Sequence, residues 1–157
     1  MPRNTKRISS GAPMQFGVHY VDTHIRKMDL MVVYTNDPLV VEDSINTMER
    51  FIVVVYKYKV VGFDLVYRDT RAGHDQKVVV AQLCVRHHVL LYHYYLGTMR
   101  CEHFTRFVKN PDYMFTTADT TSDTKVLKTS GLSCHKLVDI YDHYQVWDCK
   151  KDKESLV

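Results

Sequence analysis

The sequence predicts an α/β domain built on one mixed sheet, in which an antiparallel meander precedes alternating helices and strands. Two observations predict this class. Residues 60–95 contain three β-rich apolar segments separated by polar links, which is typical of a meander. Residues 99–142 then alternate between helical and strand periodicity. Because parallel strands need a helical crossover, this second part predicts parallel strands added to the meander.

A strand and a helix are predicted before the meander. Residues 27–35 are rich in β-forming side chains and predict a strand. Asn36 or Asp37 is placed to cap the helix that follows, with Pro38 in its first turn. The apolar residues of this helix recur at helical spacing: Val41, Ile45 and Met48. The stretch 52–58 leaves helix and strand open as alternatives.

Three strands make up the predicted meander. Residues 60–67 form the first strand, and the turn-forming residues of 68–76 predict a loop after it. Residues 77–85 and 89–95 form a hairpin whose link is 86–88. The continuous apolar character of this hairpin predicts burial on both of its faces.

Helices and strands alternate after the meander. The first helix carries its apolar residues at spacings of three and four: Phe104, Phe107 and Val108. It ends before Pro111, and a strand follows over 113–119. A short helix has Ser122 as its expected N-cap and Gly131 as its stop, before a last strand over 136–142.

The order of these elements predicts a ribonuclease H-like mixed sheet, because an antiparallel meander extended by right-handed crossovers is one of few topologies left open. A chain of 157 residues, of which 45% are hydrophobic, has room for one core and one domain. We expect this domain to span 21–145, between a disordered basic tail over 1–20 and a loose C-terminal tail over 146–157.

Charge and cysteine content restrict the class of protein. The net charge of +3 comes from Arg3, Lys6 and Arg7, so the body lacks the basic excess of a dedicated nucleic-acid binder. The four cysteines contain no CxxC pair, which argues against a disulfide framework. No apolar run is long enough to span a bilayer, and no secretory signal precedes the domain. We therefore expect an intracellular protein, in the nucleus or the cytoplasm, without a membrane partner.

One carboxylate is out of place in this pattern. Asp64 lies inside the apolar strand "VVGFDLVYRD", where burying an ionised group costs several kcal/mol unless a cation, a metal or hydrogen-bond donors compensate it. The residue therefore either faces water or belongs to a functional site.

Four colinear segments carry a family resemblance. They are "VVGFDLVY", "VAQLCV", "FVKNPDYMFTTADTTSDTKVL" and "GLSCHKLVDI". In this order the chain resembles the Werner-syndrome-type 3′-to-5′ exonuclease domain, particularly its plant relatives, from about residue 29 to residue 142. The resemblance implies the DEDD group of nucleases, in which acidic residues hold two divalent metal ions, Mg²⁺ or Mn²⁺, that activate a water for phosphodiester hydrolysis.

Carried over residue by residue, the resemblance gives an incomplete site. Asp64 and Asp123 match two of the catalytic metal ligands. Val66 stands where the family has a glutamate, and the third motif, a Tyr or His followed four residues later by Asp, has no counterpart. The resemblance therefore implies a degenerate, catalytically impaired domain, truncated at its C-terminal end, in which divalent metal binding is weak or absent.

Three functions stay open. The impaired domain binds single strands or 3′ ends of nucleic acid, with Lys125 and Lys128 as the candidate contacts. Alternatively, an active exonuclease uses Asp69 or Asp119 as substitute ligands. In the third alternative the missing helices expose an apolar sheet surface that a second copy or a protein partner covers. Three tyrosines of one segment also invite a base-stacking role: Tyr92, Tyr94 and Tyr95.

Overall fold

A computed structural model describes residues 15–23, 28–55, 59–69, 76–95 and 99–143. The strands are β1 (Gly17–Thr23), β2 (Met28–Thr35), β3 (Val60–Asp69), β4 (Gln76–Val85), β5 (His88–His93), β6 (Met114–Thr117) and β7 (Leu137–Asp139). The helices are α1 (Pro38–Val55), α2 (Glu102–Lys109), α3 (Thr120–Thr129) and α4 (Ile140–His143). The predicted C-terminal tail, 146–157, lies outside the described residues.

The described strands form one seven-stranded sheet in the order β1-β2-β5-β4-β3-β6-β7. The predicted meander is confirmed, because β3, β4 and β5 pair antiparallel in sequence. The strand β2 adds in parallel to β5, and β6 and β7 add in parallel on the far side of β3. This α/β arrangement is the predicted ribonuclease H-like mixed sheet.

The three longer helices cover one face of the sheet. The connections through α1, α2 and α3 all move in the same direction across it, so right-handed crossovers place these helices on the same side. Phe63 of β3 is buried on this side. The opposite side carries Asp64, Gln82 and Leu91, which are aligned across β3, β4 and β5. We call it the open face, since none of these three helices covers it.

The helix α1 forms where capping and apolar spacing predict it. The N–H of Leu39 donates to Asp37 Oδ1 at 2.9 Å, so Asp37 is the N-cap and Pro38 occupies the first helical position. The three predicted core residues are each fully buried: Val41, Ile45 and Met48. The helix continues to Val55, which resolves the first half of the ambiguous stretch as helix.

Aromatic side chains join the meander to the helices. The ring centroids of Phe63 and Phe115 lie 5.9 Å apart, and that of Phe107 lies 5.5 Å from Phe115. On β5, the Tyr92 ring contacts Phe104 of α2 at 5.2 Å. Edge-to-face contacts of this kind stabilise the packing beyond the effect of the area that each ring buries. The cluster therefore holds α2 against the sheet in which β3 positions Asp64.

The hairpin link is shorter than predicted. It consists of Arg86 and His87, and Arg86 has the left-handed φ of 55° that such tight turns require. His88 begins β5 and is buried, whereas the sequence placed it in the link. The strand accepts this polar residue because Ser44 of α1 lies 2.7 Å from His88 Nε2 and hydrogen-bonds it, whereas Nδ1 has no partner among the described residues.

Two further expectations are wrong in detail. Gly17–Tyr20 was assigned to the tail, but this segment belongs to β1, which pairs antiparallel with β2. Residues 1–14 of that predicted tail lie outside the described residues. The N-cap of α3 is Asp119 rather than Ser122, because Asp119 Oδ1 accepts the Ser122 N–H at 3.0 Å. Gly131 does end this helix, with a φ of +71° that favours glycine.

The last predicted strand is short. The strand β7 ends at Asp139, whose Oδ1 accepts the N–H of Tyr141 at 2.8 Å and so turns the chain into α4. Asp139 therefore has a structural role. None of the described helices combines the length and the apolar character needed to cross a membrane.

Candidate functional site

Asp64 lies on the open face, in the part of β3 that extends beyond its pairing with β6. Its partner on β4 is Gln82. On its other side, the parallel pairing of β3 with β6 ends at Gly62 and Thr116, so Asp64 lies level with the segment that joins β6 to α3. The carboxylate is exposed to solvent. Because it faces water, it needs no internal partner within the apolar strand.

Asp123 lies in the first turn of α3 and is only 3% exposed. The hydroxyl of Thr117, at the end of β6, donates to Asp123 Oδ2. The pKa of Asp123 is raised to about 6, mainly by burial and also by the negative charges of Asp64 and Asp119, against the lowering effect of the Thr117 hydrogen bond. The structure therefore brings Asp64 and Asp123 within electrostatic reach of each other.

The proposed substitute ligands have other roles or lack a described side chain. Asp119 caps α3, and the hydrogen bond from Ser122 lowers the pKa of Asp119. The backbone of Asp69 ends β3, and its side chain lies outside the description. Neither Asp119 nor Asp69 is therefore shown to replace the missing glutamate as a metal ligand.

Val66 occupies the position from which a third carboxylate would reach the pair formed by Asp64 and Asp123. It lies two residues after Asp64, so its side chain points to the same face of β3, and it is 45% exposed. An isopropyl group supplies no ligand oxygen. Within the described ranges, no group of three His, Cys, Asp or Glu side chains is arranged to hold a metal ion. The donors present therefore do not fit a two-metal centre, which needs many oxygens in ordered geometry.

The lysines predicted to contact nucleic acid lie elsewhere on α3. Lys125 and Lys128 are both exposed. At about 100° of rotation per helical residue, they lie roughly 200° and 140° around the axis from Asp123. They therefore point away from the carboxylate pair, and the structure does not bring them to it.

A different set of cations lies near the end of β3. The Arg68 guanidinium lies 3.8 Å from the centroid of the Tyr95 ring, and that of Arg100 lies 5.2 Å from the centroid of Tyr94. The sequence signal for this cluster is the run of tyrosines in "LYHYYLGTMR", which is followed by Arg100. Unlike the exposed Tyr95, Tyr92 is buried, and its hydroxyl accepts the Cys101 N–H at 3.3 Å.

Comparison with known proteins finds similarity at the level of structure. No protein-family model matches the chain, and no curated protein matches its sequence. Solved exonuclease structures do match. The EXD2 exonuclease domain soaked in Mg and GMP aligns with a TM-score of 0.59 at 12% identity, over 71% of this chain and 57% of that chain.

Two further exonuclease structures match in the same way. The catalytic core of RRP6 from Trypanosoma brucei has a TM-score of 0.57 at 13% identity, over 76% of this chain and 30% of that one. RNase D of Escherichia coli, an exoribonuclease involved in structured RNA processing, has a TM-score of 0.52 at 17% identity, over 71% and 27%. The chain thus spans less than two thirds of each of these three structures.

Proposed function

We propose, from the ribonuclease H-like fold that this chain shares with 3′-to-5′ exonuclease domains, that it is a catalytically impaired exonuclease-like domain that binds nucleic acid. The observation that carries the proposal is the composition of the site. Two carboxylates are adjacent, one of them buried beside a hydroxyl, and an exposed valine lies where a third would converge on them. The fold is retained and the donor set is reduced.

The reduced donor set bears directly on chemistry. A divalent cation in such a site takes about six oxygens in near-octahedral order and polarises the phosphodiester. Asp64 and Asp123 supply few of these oxygens, and the raised pKa of Asp123 makes its proton compete with a cation. A missing general base costs a further factor of about 10² to 10⁴ in rate. We therefore propose that hydrolysis is slow or absent and that Mg²⁺ or Mn²⁺ binds weakly if at all.

Binding of nucleic acid rests on a separate argument. The EXD2 structure was soaked with a nucleotide, and RNase D acts on RNA, which makes a polynucleotide the natural ligand class for this fold. In this chain the basic side chain closest along β3 to Asp64 is Arg68, which stacks on the ring of Tyr95. Stacking and phosphate contacts of this kind favour single strands without sequence preference. Because nucleic acids are intracellular ligands, we further propose that the protein acts inside the cell, in the nucleus or the cytoplasm.

The test of impaired catalysis is digestion of a 5′-labelled single strand and a recessed duplex with Mn²⁺. The purified chain is compared with Asp64→Asn and Val66→Glu. We expect no digestion by the chain or by Asp64→Asn, and a gain of digestion in Val66→Glu, since position 66 is exposed and accepts a charge. Digestion by the wild type that Asp64→Asn abolishes would instead establish an active enzyme with rearranged ligands.

A second candidate function, a self-association module, is favoured by one observation. The edge strand β1 presents Val18 and Tyr20 with 54% and 47% of their surface exposed. An apolar edge strand is a template for pairing with another chain. If this candidate is correct, the mass measured by light scattering rises with concentration and is insensitive to metal. Tyr20→Lys should then abolish the rise, and a constant monomer mass would reject this candidate.

A further inference from the structure

A cavity of about 430 Å³ lies away from the carboxylate pair, between the start of β4, the end of β5 and the C-terminal end of α3. Its lining residues are Lys77, Val78, Tyr94, Tyr95, Arg100, Thr129, Ser130 and Gly131. Neither the matched motifs nor the carboxylate pair uses this cavity. At 1.5 Å per residue, its α3 wall lies about 10 Å along the helix from Asp123.

The described part of the cavity wall is cationic. The described residues that line it include two cations, Lys77 and Arg100, and no carboxylate. Neither cation forms a salt bridge with an acidic residue in the described part of the chain. Arg68 adds a third cation at the rim, because it stacks on the Tyr95 ring. Uncompensated cations around a concave surface attract an anion.

Two hydroxyl groups in the wall have spare hydrogen-bonding capacity. Tyr94 is 8% exposed, burial raises its pKa against the lowering effect of the nearby Arg100 guanidinium, and no described acceptor takes the proton of its hydroxyl. Burying a hydroxyl proton without an acceptor is unfavourable, so this hydroxyl is a strong candidate to donate to an acceptor that a ligand supplies. Ser130 Oγ accepts the Val78 N–H at 2.9 Å, which leaves its own proton free to donate.

The C-terminal end of α3 repels an anion less strongly than a helix end whose carbonyl groups make no hydrogen bonds. The partial negative charge of a helix C-terminus resides on its last carbonyl groups. Here the N–H of Ser130 donates to Val126 at 3.0 Å, that of Gly131 to Lys128 at 3.1 Å, and that of Leu132 to Leu127 at 2.8 Å. These bonds occupy the carbonyl groups of Val126, Leu127 and Lys128, which reduces the partial negative charge that this end of α3 presents to the cavity.

We propose that this cavity binds a phosphate group of a single-stranded nucleic acid. Arg100 and Lys77 supply the charge, the hydroxyls of Tyr94 and Ser130 supply donors, and the exposed ring of Tyr95 offers a surface for a neighbouring base. The inference rests on the proposed nucleic-acid binding and gives it a location.

The strand geometry connects this cavity to the candidate site. From Asp64 to Arg68 the strand β3 advances four residues, which is about 13 Å. A single strand that follows the open face of β3 from Asp64 reaches the rim of the cavity at Arg68, which is paired with Lys77 of β4. This places the principal cationic contact at Arg100 and Lys77 rather than at Lys125 and Lys128.

The test measures binding of a fluorescent single-stranded 12-mer of DNA and of RNA by anisotropy, across a salt series. Arg100→Gln and Lys77→Gln should each weaken binding about 10-fold at low salt and reduce the slope of log K against log salt by about 0.7, the value for one lost phosphate contact on a single strand. Tyr94→Phe, which removes only the hydroxyl, should weaken binding about 5-fold. The control Lys125→Gln lies on the same helix but outside the cavity and should change the affinity less than 2-fold.

A second titration uses inorganic phosphate and follows the thermal midpoint of the wild type and Arg100→Gln. Oligonucleotide binding that is equally weakened by Lys125→Gln and Arg100→Gln would overturn the cavity and leave the proposed function standing. Stabilisation by phosphate alone, lost in Arg100→Gln, would support a phosphate site and reject the polynucleotide. Failure of both ligands to bind the wild type would overturn the inference and the proposed function together.

Discussion

Replacing Asp123 with asparagine should stabilise the protein at neutral pH and have little effect near pH 4. Asparagine keeps the shape of the side chain and still accepts the hydrogen bond that Thr117 donates. It removes the negative charge that burial and the neighbouring Asp64 and Asp119 make unfavourable. The substitution therefore tests the electrostatic description of the site without any assumption about catalysis.

The magnitude follows from the pKa of Asp123. It is about 6 in the folded protein, against an ordinary value of 3.8. Between these pH values the folded state holds the proton and the unfolded chain has released it, so the free energy of unfolding falls as pH rises and then stays at its lower level. At about 1.4 kcal/mol per pH unit the penalty reaches at most about 3 kcal/mol above pH 6.

The assay is urea unfolding of the wild type and Asp123→Asn at pH 4, 5, 6, 7 and 8, with a chelator present so that no divalent cation contributes. We expect the difference in free energy of unfolding to be near zero at pH 4 and about 2 to 3 kcal/mol at pH 7, or about 4 to 12 °C in thermal midpoint for a chain of this size. Glu42→Gln, an exposed acid on α1, is the control and should change stability by less than about 0.5 kcal/mol.

Two results would refute the reasoning. A variant less stable than the wild type at pH 7 would mean that the ionised carboxylate has a favourable partner. A constant difference from pH 4 to pH 8 would mean that Asp123 does not titrate in this range.

Three further predictions concern the fold around the site. Ser44→Ala removes the hydrogen-bond partner of the buried His88 ring and should lower the free energy of unfolding in urea by about 1 to 3 kcal/mol. The control Asn46→Ala, on the exposed side of α1, should lower it by less than about 0.5 kcal/mol. Equal effects of the two variants would contradict the role of the Ser44–His88 pair. Phe104→Ala empties the aromatic core between α2 and β5 and should cost about 3 to 5 kcal/mol, and a loss below 1 would contradict the packing. Asp119→Ala removes the N-cap of α3 and should cost about 1 kcal/mol, while an unchanged thermal midpoint would contradict the capping.

Local sequence signals were sufficient wherever neighbouring residues alone decide the structure. The cap at Asp37 and the stop at Gly131 are set by side-chain and backbone groups within one turn of the chain, and both occur as predicted. The N-cap of α3 was misplaced by three residues because Asp119 and Ser122 are both good capping residues. The hydrogen bond from Ser122 to Asp119 decides between them.

Contacts between distant segments explain the remaining differences. His88 is a polar residue in a hairpin that is apolar on both faces. Its buried position in β5 depends on Ser44, which lies 44 residues earlier and hydrogen-bonds Nε2 of the ring. Gly17–Tyr20 follows the basic, Ser/Gly/Pro-containing start of the chain, and so the sequence groups it with the tail. Its conformation comes from pairing with β2.

The sequence by itself determined the α/β class, the order of the meander and the crossovers, and the identity of the two carboxylates, because strand and helix periods and motif order are properties of the linear chain. Only the tertiary structure decided what those carboxylates experience. Burial of Asp123 beside Asp64 raises its pKa, and the rotation of α3 turns Lys125 and Lys128 away from the pair. Charge, solvation and proximity are set by the positions of side chains from separate elements, and no local pattern encodes those positions.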